Sequence, residues 1–577
     1  MKKGMEYIGT VIRTDFPNKG VTMCEGEKVV VKDALEGQKI RYAISKARKN
    51  KSEGRLHEVL ERSPLETREP LCPHFDQCGG CAYQRMEYSE QVKMKAEQVK
   101  RILDNSGCED YEFLGIEPSP SDTGYRNKME FSFGDSCRGG ELTLGLHKAG
   151  SFYDILQITD CKIVDEDINR IVRRLIELCR EWKLSYCHKV THIGYLRHLL
   201  LRRAATTGEI LINLVTSSQW ESNHGFEQQS EENDTVVNSS ERKIALKDYT
   251  EPEFLRELVN VLNGVELGGR IVGILHTINN DPSDAIRVER MDTLYGEDCF
   301  YEEILGQVFK ITSFSFFQTN SFGAERLYSI ARDFVGETKD KVIFDLYTGT
   351  GTIAQILAPV AKKVIGVEIV PEAVESAKVN AALNSLGNCE FICGDVLKVI
   401  DDITEKPDII VLDPPREGIN PKALTKIINY GVENLVYISC KPTSLANDLA
   451  VFRENGYKPV KVKCCDMFPQ TVHVETVCLL SKLREAKHHV SVKLDMDEMD
   501  LTSAESKATY EEIKKYVAEH NEGMKVSSLN IAQVKRKCGI ELGENYNLPK
   551  SEDSKQPQCP KEKEEAIMEA LKAFRTI

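Results

Sequence analysis

Cys440 ends the apolar run NLVYISC and is followed at once by Lys-Pro, so a strand would deliver a thiol to the mouth of a loop. A thiolate held there can attack an electron-poor carbon and form a covalent bond. Only the thiolate adds, so its surroundings are expected to lower its pKa. Glu475, in FPQTVHVETVCLL, is a candidate general base. A further strand, DIIVLDPPR, ends in Asp413 and two prolines, which stiffen its exit and remove backbone donors. VIFDLYTGTGTIAQILA reads as strand, glycine turn and helix. There Gly349 and Gly351 let backbone approach a ligand, and the helix N-terminus favours negative charge. Glu368, near the end of the next strand VIGVEIV, is placed for ribose hydroxyls. CPHFDQCGGC sets Cys72, Cys78 and Cys81 at C-x5-C-x2-C spacing, with two glycines to fold the chain around a ligand. Three thiolates need a fourth partner, and zinc or a cubane iron–sulfur cluster would each suit a site of four cysteines.

The glycine turn reads D-L-Y-T-G-T-G rather than GxGxxG, which argues against a nicotinamide dinucleotide. It resembles motif I of class I S-adenosylmethionine methyltransferases, and the DVL after Gly394 resembles their adenine-side motif. Ligands of doubly wound sheets sit beyond the carboxyl ends of the strands, so Tyr347, Glu368, Asp395 and Asp413 are expected to line one crevice. Many nucleic-acid methyltransferases carry an aromatic residue after the Pro-Pro; here Arg416 stands in its place, which disfavours an exocyclic amine as methyl acceptor. Uracil carbon 5 is the better match. It is too weak a nucleophile to take a methyl group from a sulfonium, and a thiolate added at carbon 6 turns the ring into an enolate that can. The carbon 5 proton must then leave before the cysteine is eliminated, which is the task for Glu475.

Regular alternation of strands and helices from Val342 to about Leu483 predicts an α/β, Rossmann-like parallel sheet buried on both faces, with the last two strands closing it antiparallel. Short Val- and Ile-rich runs over residues 1–61 predict a small antiparallel barrel of the oligonucleotide-binding kind, with KARKNK adding charge. Residues 62–125 read as a short, turn-rich segment around the cysteines. Residues 126–315 mix strands and helices as an α+β domain, with a polar run at 218–242 expected to be a mobile insertion. The methyltransferase-type domain is set at 316–485, and 500–577 is an appended helical module with two helices about Gly523, the second carrying Lys535, Arg536 and Lys537.

FQTN at Phe317 to Asn320, DLYTGTG, DPPR, SCKPTSL and HVETV stand in the order and spacing of the RNA uracil-5-methyltransferase family, which the chain resembles over nearly all of residues 1–485. The resemblance implies that Cys440 is the nucleophile and Glu475 the base, and that Gln318, Tyr347, Glu368 and Asp413 contact S-adenosylmethionine. It also implies that the barrel is an RNA-binding TRAM domain. In the cluster-bearing members the fourth cysteine lies farther along, and ITDCKIV matches that position. A 4Fe-4S cluster on Cys72, Cys78, Cys81 and Cys161 is the resulting expectation, with zinc second. Barrel and cysteines together point to the branch acting on large-subunit (23S) ribosomal RNA rather than transfer RNA.

A net charge of −14 argues against a nucleic-acid partner, but residues 1–60 carry 13 Lys and Arg against 8 Asp and Glu, a net of +5, so this end opposes the rest in sign. RNA contacts are expected from GYRNKMEF (Arg126, Lys128) and YLRHLLLRR (Arg197, His198, Arg202, Arg203). Eighteen cysteines without a signal peptide predict reduced thiols, and no apolar run approaches the roughly 20 residues of a membrane span. We therefore expect a cytoplasmic enzyme with an RNA partner, no membrane and no obligate protein partner. The rival class, a ribosome-assembly or RNA-binding factor without the chemistry, predicts a missing nucleophile, base or cofactor residue, and none is missing.

Overall fold

Along Ile409–Leu412 successive side chains enter different cores: Ile409 and Val411 one, Ile410 and Leu412 the other. Leu435 to Ile438 repeat the alternation. Strands whose two faces are both apolar must be covered on both sides by helices, and the chain supplies them. The computed structural model describes residues 1–47, 52–220, 250–483, 510–521, 524, 526–537 and 560–573. Its largest sheet has eight strands in the order Cys389–Cys393, Ala361–Glu368, Thr338–Leu346, Ile409–Leu412, Asn434–Ser439, Glu475–Lys482, Tyr457–Cys465 and Glu112–Glu117. The first five run parallel, and Glu475–Lys482 is antiparallel to both its neighbours. Helices Ser321–Val335, Thr352–Leu357 and Pro371–Leu383 pack on one face, and Tyr88–Asn105, Pro421–Asn429 and Pro442–Glu454 on the other.

Residues 62–125 are thus more than a turn-rich segment: they give this sheet a helix, Tyr88–Asn105, and its edge strand, Glu112–Glu117. The helix buries Gln91, Met94, Lys95, Gln98, Val99 and Leu103, a face half polar, which hides its period in the sequence. Lys95 is fully buried in an ion pair with Asp466 at 2.7 Å and also donates to the Phe468 carbonyl.

The α+β part is a seven-stranded sheet ordered Ile155–Gln157, Thr143–His147, Lys128–Gly134, Leu196–Arg203, Glu209–Thr216, Arg270–Ile278 and Arg290–Gly296. Its one parallel pair, Glu209–Thr216 with Arg270–Ile278, is joined through the helix Glu251–Asn263. That helix and Glu166–Glu181 share a core with the sheet. The N-terminal six strands curl so that the first reaches the third: Ile12 N–H donates to the Val21 carbonyl at 2.8 Å and Thr22 Oγ1 to the Thr10 carbonyl. Most of KARKNK and nearly all of the expected insertion at 218–242 lie outside the described residues.

Residues 495–577 form a separate unit with its own apolar core. Its described residues include three helices, Tyr510–His520, Ser528–Lys537 and Lys561–Ala573, one more than expected, and Lys537 pairs with Glu564 at 2.6 Å.

Candidate active site

The register of the large sheet brings the candidate residues together. Ser439 is paired with Thr476, so one further step sets Cys440 opposite Glu475. Leu346 pairs with both Leu412 and Val367, which aligns Tyr347 with Asp413 on one side and Glu368 on the other. All of these strand ends open on one cavity of about 1460 Å³. Gln318, Tyr347, Gly349, Glu368, Asp395, Asp413, Cys440 and Glu475 line it, and so do Cys72, Cys78, Cys81 and Cys161.

The glycine turn is strained in a way its sequence explains. Tyr347, Gly349 and Gly351 have φ of 70°, 56° and 75°, the left-handed region that costs a residue with a Cβ. A Cβ on Gly351 would meet Ala377 and Phe391 at 2.8 Å, so that glycine serves packing. Beside Gly349 the only neighbour is Phe316 at 4.0 Å, so that glycine keeps the cavity open. Gly349 N–H donates to Glu368 Oε2 and Val370 N–H to Oε1, both at 3.0 Å, which fixes the carboxylate. Asp395 caps the short turn Val396–Val399 by accepting from Leu397 N–H at 3.0 Å.

Acids dominate the electrostatics. Burial pushes Asp345 up to about 6, burial and Asp345 push Asp413 to about 7, and burial and Asp413 push Glu475 to about 8. Cys440 ends this series: burial, then Glu475 and Asp413, raise its thiol to about 11, against the opposing charge of Arg416. The expected lowering of the Cys440 pKa is therefore not found in the free protein. Its cause is burial first, and then the carboxylates brought in from neighbouring strands. Burial, Arg416, Lys95 and Arg126 hold His473, also at the cavity, down at about 4, hence neutral.

Several lining residues escaped sequence reasoning. Phe316 is 68% exposed at the cavity, and Thr348 and Thr350 line it beside the glycines. Gln470 stands outside it but organises the loop that leads to Glu475. It has φ of 68°, exchanges two hydrogen bonds with Gln91, accepts from Ala82 and Tyr83 N–H, and donates to Asp122. Asn320 Nδ2 reaches the same loop through the Met467 carbonyl at 2.9 Å. The FPQT run was the signal for this junction, since a buried glutamine in a strand connection must satisfy its amide.

The four cysteines are free thiols, three half-buried and Cys161 buried. Burial raises each; Cys81 reaches about 12 and Cys161 about 11, with the neighbouring thiols adding to the rise. Four thiols lining one cavity are a donor set for a thiolate-bound group. Among the described residues, however, no three His, Cys, Asp or Glu side chains stand close enough to hold a single metal ion.

Of the expected RNA contacts, only Arg126 lines the cavity. The strand Leu196–Arg203 is buried on both faces, so its basic residues are used internally. Arg197 donates to the carbonyls of Asn279, Asp281 and Ser283, Arg202 to those of Ser313 and Ser315, and Arg203 pairs with Asp165 and Asp167. His198 is buried and held down at about 4, chiefly by that burial. Arg202→Met is accordingly expected to destabilise the protein by about 1–3 kcal/mol in chemical denaturation, because it strands the buried Ser313 carbonyl and the half-buried Ser315 carbonyl, while the RNA affinity of the folded fraction is unchanged.

Comparison with known proteins agrees with this architecture. The model of the tRNA (uracil-5-)-methyltransferase family matches residues 305–483. An uncharacterized RNA methyltransferase of Caldanaerobacter subterraneus subsp. tengcongensis is 46% identical over 84% of this chain and 100% of its own length. Another, of Clostridium tetani, is 46% identical over 83% of this chain and 98% of its own. The crystal structure of Pyrococcus abyssi tRNA (uracil-54, C5)-methyltransferase in complex with S-adenosyl-L-homocysteine superposes with a TM-score of 0.60, at 24% identity, over 82% of this chain and 100% of that one, and so shares its fold. No described helix is long and apolar enough to cross a membrane. With the strand-end constellation and these relatives together, the chain belongs to the RNA uracil-5-methyltransferase family.

Proposed function

We propose that the chain methylates carbon 5 of a uridine in large-subunit ribosomal RNA through a covalent adduct on Cys440. The observation that carries this reading is the placing of Cys440 and Glu475 across one register step, at the cavity that the glycine turn also lines. Gln318, Tyr347, Gly349, Glu368, Asp395 and Asp413 are the side chains and backbone that would hold S-adenosylmethionine, which supplies a methyl group on a positively charged sulfur. Cys440 gives its thiol proton to solvent water and the thiolate Sγ then bonds to carbon 6, with Arg416 as the side chain that favours the thiolate. Carbon 5, now electron-rich, takes the methyl group. Glu475 then accepts the carbon 5 proton, and the carbon 6–sulfur bond breaks to release product and thiolate. The target ring must leave its stack to be reached from one face, which a cavity this deep accommodates.

The same reaction on transfer RNA is the second reading, favoured by the description of the matched family. Incubating the protein with labelled S-adenosylmethionine and undermethylated total RNA, then mapping the modified nucleoside, separates them. Label in 5-methyluridine of large-subunit RNA supports the first, and label confined to the transfer RNA fraction replaces it with the second.

We further propose that Cys72, Cys78, Cys81 and Cys161, free thiols lining the same cavity, would hold a 4Fe-4S cluster, with zinc the alternative. The reaction above transfers no unpaired electron, so the group's task is to fold the segment and shape the RNA cleft. Protein purified without oxygen should contain about four irons and four sulfides per chain. Cys161→Ser should lose them and weaken RNA binding. Stoichiometric zinc, or iron retained in Cys161→Ser, would reject the assignment.

A further inference from the structure

The turn between Thr143–His147 and Ile155–Gln157 carries two large aromatic side chains that the fold leaves in solvent: Phe152 is 57% exposed and Tyr153 59%. They are exposed but not loose. The turn is closed by Lys148 N–H to the Asp154 carbonyl at 3.0 Å, Ser151 N–H to the Lys148 carbonyl at 3.0 Å and Asp154 N–H to Ser151 Oγ at 3.2 Å. Phe152 stacks on His147, with ring centroids 6.0 Å apart and planes at 23°, and Tyr153 meets its edge at 5.4 Å. Lys189 Nζ lies 4.4 Å from the centre of the Phe152 ring. Asp284 holds that ammonium in place at 2.9 Å, and His147 Nε2 lies 3.1 Å from it. Lys148, exposed on the same turn, makes no ion pair among the described residues.

The turn is docked against the cysteine segment. Ala149 N–H donates to the Gln77 carbonyl at 2.7 Å, and a Cβ on Gly79 would touch Ala149. Leu146, at the base of the turn, and Gly79 both line the cavity that holds Cys440. A pair of rigid rings beside a cation, at the rim of the cavity into which one base must be turned out, suits a particular partner. Extruding a base breaks the stack of its neighbours, and flat aromatic faces replace that stacking without regard to sequence. Ordering costs little, because the ring and the ammonium are already fixed by contacts within the protein.

We propose that Phe152 and Tyr153 form a stacking platform for single-stranded RNA bases flanking the target uridine, with Lys148 supplying positive charge for its backbone. The proposal rests on the reading of RNA as substrate. Stacking one base on an aromatic ring contributes on the order of tenfold to hundredfold in affinity. The double variant Phe152→Ala, Tyr153→Ala should therefore bind a short fluorescent oligouridylate at least about tenfold more weakly. It should show a matching rise in KM for undermethylated total RNA. Binding of S-adenosylhomocysteine and the melting temperature should not move, and Phe152→Trp, Tyr153→Trp should restore the affinity. Unchanged oligouridylate affinity and KM in a folded double variant, with the wild type making 5-methyluridine, would overturn the platform alone and leave the rings to a protein partner. A wild type that makes no 5-methyluridine in any RNA would overturn the platform and the functional reading together.

Discussion

Cys440→Ala is expected to abolish 5-methyluridine formation, lowering the rate by on the order of 10⁴ or more, as loss of a covalent nucleophile does elsewhere. The thiols of the strands beside it cannot take over. Cys464, Cys465 and Cys478 are buried in the neighbouring strands, and Cys464 and Cys478 face into the core opposite the helix Pro442–Glu454. Cys440→Ser should fare little better, since its hydroxyl is far harder to ionise than a thiol already raised to about 11 by burial and two carboxylates. The substitution removes a half-buried side chain at a strand end, so folding and cofactor binding should survive. RNA carrying 5-fluorouridine makes the test direct. Fluorine at carbon 5 cannot leave as a proton would, so the wild type should halt as a protein–RNA adduct stable to denaturing electrophoresis, and Cys440→Ala should give none. A full rate in Cys440→Ala would end the covalent mechanism.

The parts of this site that local pattern could reveal were legible. Continuous apolar strands with a candidate residue at each carboxyl end specified a doubly wound sheet, and the sheet register then placed Tyr347, Glu368, Asp413, Cys440 and Glu475 together. What depended on burial was not legible. Arg197, Arg202 and Arg203 read as a basic surface because a strand is assumed to show one face to water, whereas Leu196–Arg203 shows neither. Tyr88–Asn105 was missed because Gln91, Lys95 and Gln98 face inward to partners far away in sequence, Gln470, Asp466 and Thr14. The thiol pKa was misjudged for a related reason. Which charges surround a side chain follows from strand order, and no stretch of sequence near Cys440 contains Asp413 or Glu475.

Glu475→Gln carries the second large effect. Loss of a positioned general base costs about 10²–10⁴ in rate, and here it should stop the reaction after methyl transfer, so that methylated adduct accumulates on Cys440 in place of product. The wild type's pH dependence should report the same group. Glu475 acts as its carboxylate; burial and Asp413 raise it to about 8 against the pull of Arg416, so turnover limited by proton removal should rise with pH through that value. Glu475→Gln should lose that limb of the profile. Stability should move the other way. The folded pKa of about 8 stands above the ordinary 4.5, so the native state holds a proton that the unfolded chain has released. This group's contribution is complete below about 4.5 and is lost as pH rises to about 8. Glutamine never ionises, so Glu475→Gln should melt above the wild type at pH 8 and above while being nearly inactive. A side chain retained for packing would lose stability on substitution; one retained as a base in an apolar setting loses activity and gains stability. If Glu475→Gln lowers the melting temperature at pH 8 and above and turns over at the wild-type rate, Glu475 is a structural residue and the carbon 5 proton leaves by another route.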